Sequence, residues 1–461
     1  MNRVPASGHF DFSRLDPDAL KVVRRLRQHG HEAYLVGGSV RDLWLSRTPK
    51  DFDIATNATP RQIKRVFSNS RLIGRRFRLA HVFFGPKILE VSTFRSNVIA
   101  HQPDDTVGDE GEERDLLVRD DNIFGTAEED AVRRDFTING LFYDPDTQEL
   151  IDYVHGIPDL EEGLIRTIGD ADIRVQEDPV RILRAIKFAA RLGFHIHDET
   201  WAAMLSFKEQ LLRCSPARVH EEVMRLLSGG AAEASVKLMW ESGVLDVLLP
   251  DLTEHLNMNR TGSLVSDPLW KYLAALDAVD RTRRPISPGL LIGTAFWPIL
   301  EERINAPEVA ALDYGLRIDR AVDSVTRNLR LPKRENALLK QVLIARRRLR
   351  AEEGQKKRRG SLARMLGKAY FPAAVAFAEI EMRAGGATSE EIAAWEASLG
   401  ATQASLAQPQ PGGPGEPGEP GESGAPGAPG DPRKRRRRRR RRRPQEGGGS
   451  NDESGGRPPL A

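Results

Sequence analysis

Residues 33–53 read AYLVGGSVRDLWLSRTPKDFD: an apolar run closes on Gly37-Gly38-Ser39, and two aspartates, Asp51 and Asp53, follow on either side of Phe52. Alternate residues of a strand project to the same face, so Asp51 and Asp53 are expected to present both carboxylates on one side, with Phe52 turned into the core. Paired carboxylates without a neighbouring His or Cys suit a hard, oxygen-seeking cation such as Mg²⁺. A Gly-Gly-Ser between a strand and a helix permits close backbone approach and leaves N–H groups that can hold phosphate oxygens. Taken singly, GGS is an ordinary turn with a serine cap and DxD an ordinary acidic edge. Their order and short spacing on consecutive elements describe a site for a metal-bound triphosphate. Glu90, in the apolar strand KILEVSTF (87–94), adds a third carboxylate at a place where an unpaired acid is costly.

Composition bounds what surrounds this site. The chain has 461 residues, 39% hydrophobic and 29% charged, which fits a soluble protein of about three domains. No run of about 18 apolar residues marks a membrane span, and the opening MNRVPASGHFDFS lacks an apolar signal core, so a cytoplasmic protein without a membrane partner is expected. The single cysteine, Cys214, excludes an internal disulfide framework and a Cys-clustered zinc site. The net charge is +3, but residues 408–461 carry twelve Lys/Arg and seven Asp/Glu, net +5, so residues 1–407 carry −2. Within that tail every third residue from Gly412 to Gly430 is glycine, and the block RKRRRRRRRRR follows at 433–443. Seven such glycines are few for a collagen triple helix, so a flexible linker ending in a solvated cationic block is expected.

The pattern along the chain is α+β. A helix over PDALKVVRRLRQHG precedes the strand AYLV, a short helix from Ser39, the strand DFDIA and a helix opened by Thr59-Pro60. The strand-like runs RLIGRRF, LAHVFFG and KILEVSTF follow, antiparallel because their connections are too short for parallel crossovers. An acidic loop near 103–130 reads as mobile, and from Glu177 to about residue 400 the pattern is helical. This predicts a small mixed-sheet head (1–175), a helical neck (176–250), a helical body (251–407) and a disordered basic tail (408–461).

GGSVRD (37–42), DFD (51–53), RRDFTING (133–140) and EDPVRILRAIKFAARLGF (177–194) resemble, in order, the motifs of the class II nucleotidyltransferases of the polymerase β superfamily. That family includes bacterial poly(A) polymerases and tRNA CCA-adding enzymes. The resemblance covers roughly residues 20–250, is looser over 250–407 and does not reach the tail. It implies that Asp51 and Asp53 are metal ligands of a two-Mg²⁺ site with Glu90 as third carboxylate. It also implies that Gly37, Gly38 and Arg41 hold the triphosphate, and that Arg134 and Asp135 sit near the ribose. Gly140 stands where the family more often has alanine or serine, a small residue in every case.

Asp178-Pro179 reads locally as an N-cap and N1 pair. Asp178 and Arg181, three apart on one helix face, can also accept from the exocyclic amine of adenine and donate to its N1. Cytosine offers the same order, whereas guanine and uracil reverse it. Arg184, one turn on, supports the triphosphate or the Asp178–Arg181 pair, or serves only the packing. HIHD (195–198) lacks the companion residues of a metal phosphohydrolase, and RRRLR (346–350) and KKRR (356–359) read as charged helix faces or phosphate contacts.

RLIGRRFRLAHV (71–82) is similar to the stretch in bacterial poly(A) polymerases where a basic strand lies beside the active site, which assigns Arg75, Arg76 and Arg78 to RNA. The resemblance therefore implies template-independent polyadenylation of single-stranded RNA 3′ ends from ATP, an mRNA-processing activity, with CCA addition to tRNA as the alternative. It names no protein partner. A catalytically silent RNA-binding protein is disfavoured by the intact acidic set, and a collagen-like interaction protein is the third class.

Overall fold

The computed structural model describes residues 1–73, 79–96, 124–258, 267–280, 286–329, 331–350 and 364–407. Arg75, Arg76 and Arg78, most of the acidic loop, KKRR (356–359) and the tail lie outside the described residues. The described residues belong to one compact unit.

Eight strands of the described chain make one sheet: β1 (Asn2–Pro5), β2 (Ala33–Val36), β3 (Asp53–Thr56), β4 (Ser70–Ile73), β5 (Leu79–Phe84), β6 (Lys87–Thr93), β7 (Leu141–Asp144) and β8 (Glu149–Asp152). Their order is β1-β8-β7-β2-β3-β6-β5-β4. As the short connections predict, β4, β5 and β6 run antiparallel to their neighbours in that series. The pairing of β3 with β6 is parallel and sets Asp53 opposite Glu90.

The two faces of the sheet are closed differently. Leu35, Ile54, Val82 and Val91 face α1 (Pro17–Gln28) and α3 (Pro60–Val66), burying Val22, Val23, Leu26, Ile63 and Val66. Val36, Ala55, Phe94, Phe142 and Ile151 form a second cluster with Ala127 and Ala131 of α4 (Ala127–Val132). The short helices persist because their ends are satisfied. Asp16 accepts from the Asp18 and Ala19 N–H groups ahead of α1, and Thr59/Gln62 and Thr126/Glu129 form capping boxes on α3 and α4. The remaining head helices are α2 (Gly38–Trp44) and α5 (Gly156–Glu162).

From residue 171 the chain is helical, apart from a two-residue strand, His195–Ile196, that pairs with Leu164–Ile165. The helices that matter for the site are α6 (Ala171–Glu177), α7 (Val180–Leu192), α8 (Asp198–Phe207) and α9 (Pro216–Leu227). Later helices gather around the buried Trp270, Trp297 and Phe377. Among the described residues no helix is long and apolar enough to cross a membrane.

Two local expectations change. Asp51 lies just before β3, whose first residue is Asp53, so only one of the pair is paired into the sheet. Asp178 does not cap α7: Pro179 occupies the N-cap position, and Asp178 is the extended residue that ends α6 (φ −148°). The helix begins at Val180, one residue later than the N1 reading requires.

Beyond β8 the chain turns on one carboxylate. Buried Asp152 accepts from the N–H groups of Val154, Gly156 and Ile157, each at 3.0 Å. That turn lays α5 against the 3-10 turn Thr137–Asn139 so closely that a Cβ on Gly156 would stand 2.2 Å from the Thr137 carbonyl oxygen. Asp152→Ala strands three buried donors and is expected to lower stability by about 3 kcal/mol, read as a reduced urea midpoint at unchanged m-value.

Candidate active site

Asp53 and Glu90 occupy one register position on β3 and β6, so both side chains point to the face away from α1 and α3. Phe52 and Ile54 fill the opposite face, as the alternation predicts. Glu90 is half exposed and lies 3.3 Å from His81 Nε2, so it is not the buried, costly acid expected from the strand's apolar character. The correction follows from the pleat: Leu89 and Val91 supply the burial, and Glu90 lies between them on the open face. Among the described residues neither the Asp51 nor the Asp53 carboxylate has a hydrogen-bond or ion-pair partner. Asp53 is exposed at its surface, yet desolvation by the atoms crowded around its carboxyl, then Glu90, with a smaller contribution from Asp51, pushes the carboxyl up to about 6 against the pull of Arg134.

The glycine loop ends beside the same carboxylates. Gly37, with φ 71°, is the N-cap of α2 and adopts a backbone conformation that L side chains avoid. A Cβ there would stand 2.9 Å from Arg134 Nη1. No side chain caps α2, and the Ser39 hydroxyl is used on the Val36 carbonyl at 3.2 Å, so N–H groups of the first turn stay available. Arg134 donates to Asp130 Oδ2 at 2.9 Å and to the Asn139 carbonyl at 3.3 Å, and its guanidinium covers the Phe142 ring. Its Nε is buried without a partner.

Arg41 is placed differently from the phosphate contact the resemblance implies. It is buried, donates to Asn139 Oδ1 at 2.7 Å and to Asp42 Oδ1 at 2.9 and 2.7 Å, and stacks on Phe188. Its observed work is to fasten α2 to the RRDFTING turn and α7.

Asp135 is the hub of that turn. It accepts from Arg184 Nε and Nη2 at 2.7 and 2.5 Å, from Asn139 Nδ2 at 3.1 Å and from the Phe136 N–H at 2.9 Å. Burial alone would raise its pKa; the Arg184 charge and these hydrogen bonds outweigh it and hold the carboxyl at about 2. Arg184 therefore ties α7 to the head.

Glu177 and Asp178 divide the neck contacts. Glu177 Oε2 accepts from Arg174 at 2.6 Å and Arg181 at 3.3 Å, while Arg181 also donates to the Arg174 carbonyl. Arg174, buried, donates to the carbonyls of Arg133 and Arg134 at 2.7 and 2.8 Å. Asp178 Oδ2 accepts from Arg218 of α9 at 2.8 Å, and its Oδ1 is buried with no partner. Arg174, Arg218, Asn139 and Phe188 escaped the sequence reading. Asn139 and Phe188 lie inside quoted motifs, but no spacing rule marks Arg174 or Arg218.

Among the described residues no three His, Cys, Asp or Glu side chains close a metal cage by themselves. Asp51 and Asp53 nonetheless fit Mg²⁺, since they are oxygen donors with no ion-pair partner among the described residues and Mg²⁺ completes its octahedron with phosphate and water. A cavity of about 630 Å³ lies elsewhere, among Tyr153, His155, Asp159 and Arg166, and contains none of these carboxylates. In HIHD, His197 is engaged by Arg166 at 2.7 Å, and in RRRLR, Arg346 is held by Glu381 and Glu301 at 2.6 and 3.0 Å.

The depressed pKa of Asp135 makes it a stabilising carboxylate whose contribution is complete above the ordinary value near 4 and is lost as pH falls toward 2. Wild type is expected to lose about 2 kcal/mol across that window through this group. Asp135→Asn should flatten that part of the stability–pH curve, measured by chemical denaturation at stepped pH.

Three family models match the chain: the poly A polymerase head domain over residues 33–166, the probable RNA and SrmB-binding site of polymerase A over 193–256, and the polymerase A arginine-rich C-terminus over 307–443. Poly(A) polymerase I of Salmonella typhimurium is 40% identical over 363 residues, 77% of each chain. The CCA-adding enzyme of Geobacillus thermodenitrificans is 35% identical over 259 residues, 56% of this chain and 59% of that one. The structure of the Bacillus stearothermophilus CCA-adding enzyme in complex with CTP aligns over 85% of this chain and 83% of its own, with a TM-score of 0.58 at 25% identity. A mixed-sheet head carrying DFD, joined to a helical half and similar at this level over three quarters of its length, places the chain in the poly(A) polymerase family of nucleotidyltransferases.

Proposed function

We propose that this nucleotidyltransferase adds AMP from ATP to RNA 3′ ends without a template and releases pyrophosphate. The observation that carries the reading is the 40% identity to a poly(A) polymerase I over 77% of both chains. In this reading Asp51 and Asp53 hold Mg²⁺, with Glu90 as the third carboxylate. When bound, the paired ions lower the pKa of the attacking 3′-hydroxyl and neutralise the leaving pyrophosphate.

The chain's own residues do the positioning. N–H groups after Gly37 and Gly38, with Arg134, bind the triphosphate, and Arg41 keeps α2 at the required angle by its hold on Asn139. The Asp135–Arg184 pair fixes the RRDFTING turn beside the ribose. The unpartnered Oδ1 of Asp178 accepts from the exocyclic amine of the base, and Arg181 donates to the adjacent ring nitrogen. Residues 1–175 carry the transfer, 176–250 read the base and residues 251–407 hold RNA. Arg75, Arg76, Arg78 and the 433–443 block add sequence-independent contacts to single-stranded RNA. The setting is the cytoplasm, where ATP and RNA 3′ ends are available.

CCA addition is the second reading, favoured by the fold shared with the CTP-bound enzyme and by a base pair of residues that accepts A and C alike. Purified protein is expected to extend a generic RNA by many residues with ATP alone and to use CTP poorly on a tRNA lacking CCA. Addition of C, C and A to that tRNA with no action on generic RNA would establish CCA addition instead. Asp53→Ala should lower transfer by at least about two orders of magnitude with unchanged circular dichroism. Arg181→Ala should weaken the preference for ATP over GTP and UTP, measured by single-nucleotide competition.

A further inference from the structure

The register across the sheet aligns four polar side chains in one row. Arg71 of β4 stands opposite His81 of β5, His81 opposite Glu90 of β6, and Glu90 opposite Asp53 of β3. Residues directly opposite one another share a face, so all four project from the face that carries the transfer carboxylates. With neighbouring strands about 4.8 Å apart, Arg71 lies about 14 Å from Asp53. Two strand positions from His81 is Phe83, with Ile88 opposite it. Phe83 is half-buried and joins neither hydrophobic cluster, Ile88 is 47% exposed, and Ile73 is 40% exposed. The helix that packs on β4 and β5, α3, does so from the opposite face, through Ile63 and Val66 against Ala80 and Val82. Among the described residues Arg71 has no ion-pair or hydrogen-bond partner.

We infer that this open face of β4, β5 and β6 is the platform on which single-stranded RNA lies just upstream of its 3′ end, a phosphate on Arg71 and a base stacked on Phe83. The inference rests on the polyadenylation reading for the identity of the strand. Charge order supports it: the row is basic at its outer end and acidic at the transfer end, matching a polyanion whose last hydroxyl must reach the carboxylates. A half-buried aromatic between a cation and apolar side chains, on an open sheet face, suits unstacked bases without sequence preference. His81 positions Glu90 through the 3.3 Å contact, and Asp53 and Glu90 repel any phosphate that slides past Arg71. The platform is continuous in register with the transfer site, which makes its occupant the strand being extended and not a separate partner.

The test uses the full chain with Arg71→Ala, Arg71→Lys and Phe83→Leu, all at surface positions whose folding circular dichroism checks. Two measurements are made: extension of an oligoadenylate of about 15 nucleotides, and its binding by fluorescence anisotropy across a salt series. Arg71→Ala and Phe83→Leu are expected to raise KM and Kd for RNA about tenfold while leaving KM for ATP and kcat within about twofold. Arg71→Ala should also reduce the logarithmic salt slope by about 0.7, which Arg71→Lys restores and Phe83→Leu does not change. Equal RNA affinity and equal salt slope in wild type and all variants would overturn the platform. If wild type binds RNA but transfers no AMP, the polyadenylation reading fails, and the anisotropy comparison alone decides the platform by the same criteria.

Discussion

One backbone pairing governs the chemistry: the parallel union of β3 with β6 that puts Asp53 across from Glu90. The other pairings of the sheet are antiparallel, and a hairpin cannot produce a parallel one. The chain must leave β3, cross through α3, form β4 and β5 and return. The capping box of Thr59 and Gln62 and the apolar face of α3 make that detour stable. The carboxylates thus gather because a local helix closes a long connection, and their mutual repulsion is held by the packing of Ile54, Val91 and Val82 on the opposite face. The Asp53 carboxyl is shifted upward because desolvation and Glu90 outweigh the pull of Arg134.

A second constraint joins head to neck. Asp135 gathers Arg184, Asn139 and its neighbouring backbone, Asn139 gathers Arg41, and both Arg41 and Arg184 lie over the Phe188 ring. Below it, the buried pair Lys187–Glu222 links α7 to α9 at 2.7 Å, with burial pushing the Lys187 amine down to about 8. Buried pairs of this kind are weak contributors to net stability but exacting about geometry, because displacing one partner leaves an uncompensated charge. They suit a place where, in the proposed reading, a glycine loop, a ribose contact and a base contact must keep fixed spacing.

The sequence made the head legible where periodicity and punctuation agree. AYLV, the Thr59-Pro60 helix start and the antiparallel series of β4, β5 and β6 follow from alternation, capping and loop length, and DFD and GGS mark the site by residue type. What could not be read is what depends on register. Glu90 looks buried in KILEVSTF until the pleat shows which of its neighbours take the core side. Asp178-Pro179 looks like a cap until the chain is seen to leave α6 extended. Arg41 reads as a phosphate ligand from its motif, and only the structure shows that three of its five N–H donors are engaged by side chains that lie 98 positions away and one position away. Long-range partners carry no local signal, and buried arginines such as Arg174 look in sequence like any charged helix face.

The neck geometry bears on nucleotide choice. Asp178 and Arg181 do not pair with each other: Arg218 holds one and Glu177 the other. Glu177 is in turn bound to Arg174, whose second nitrogen grips the carbonyls of Arg133 and Arg134. In the proposed reading the base-contacting residues and the ribose-contacting residues are therefore cross-linked through one guanidinium, so the pocket moves as a block. A pocket that must accept C twice and then A has to change its span between additions, and each such change would break the buried Arg174 contacts and strand its charge. A pocket that accepts A every time needs only to stay in place. The rigid Arg133–Arg174–Glu177–Arg181 linkage is thus better matched to repeated addition of one nucleotide than to an ordered switch between two.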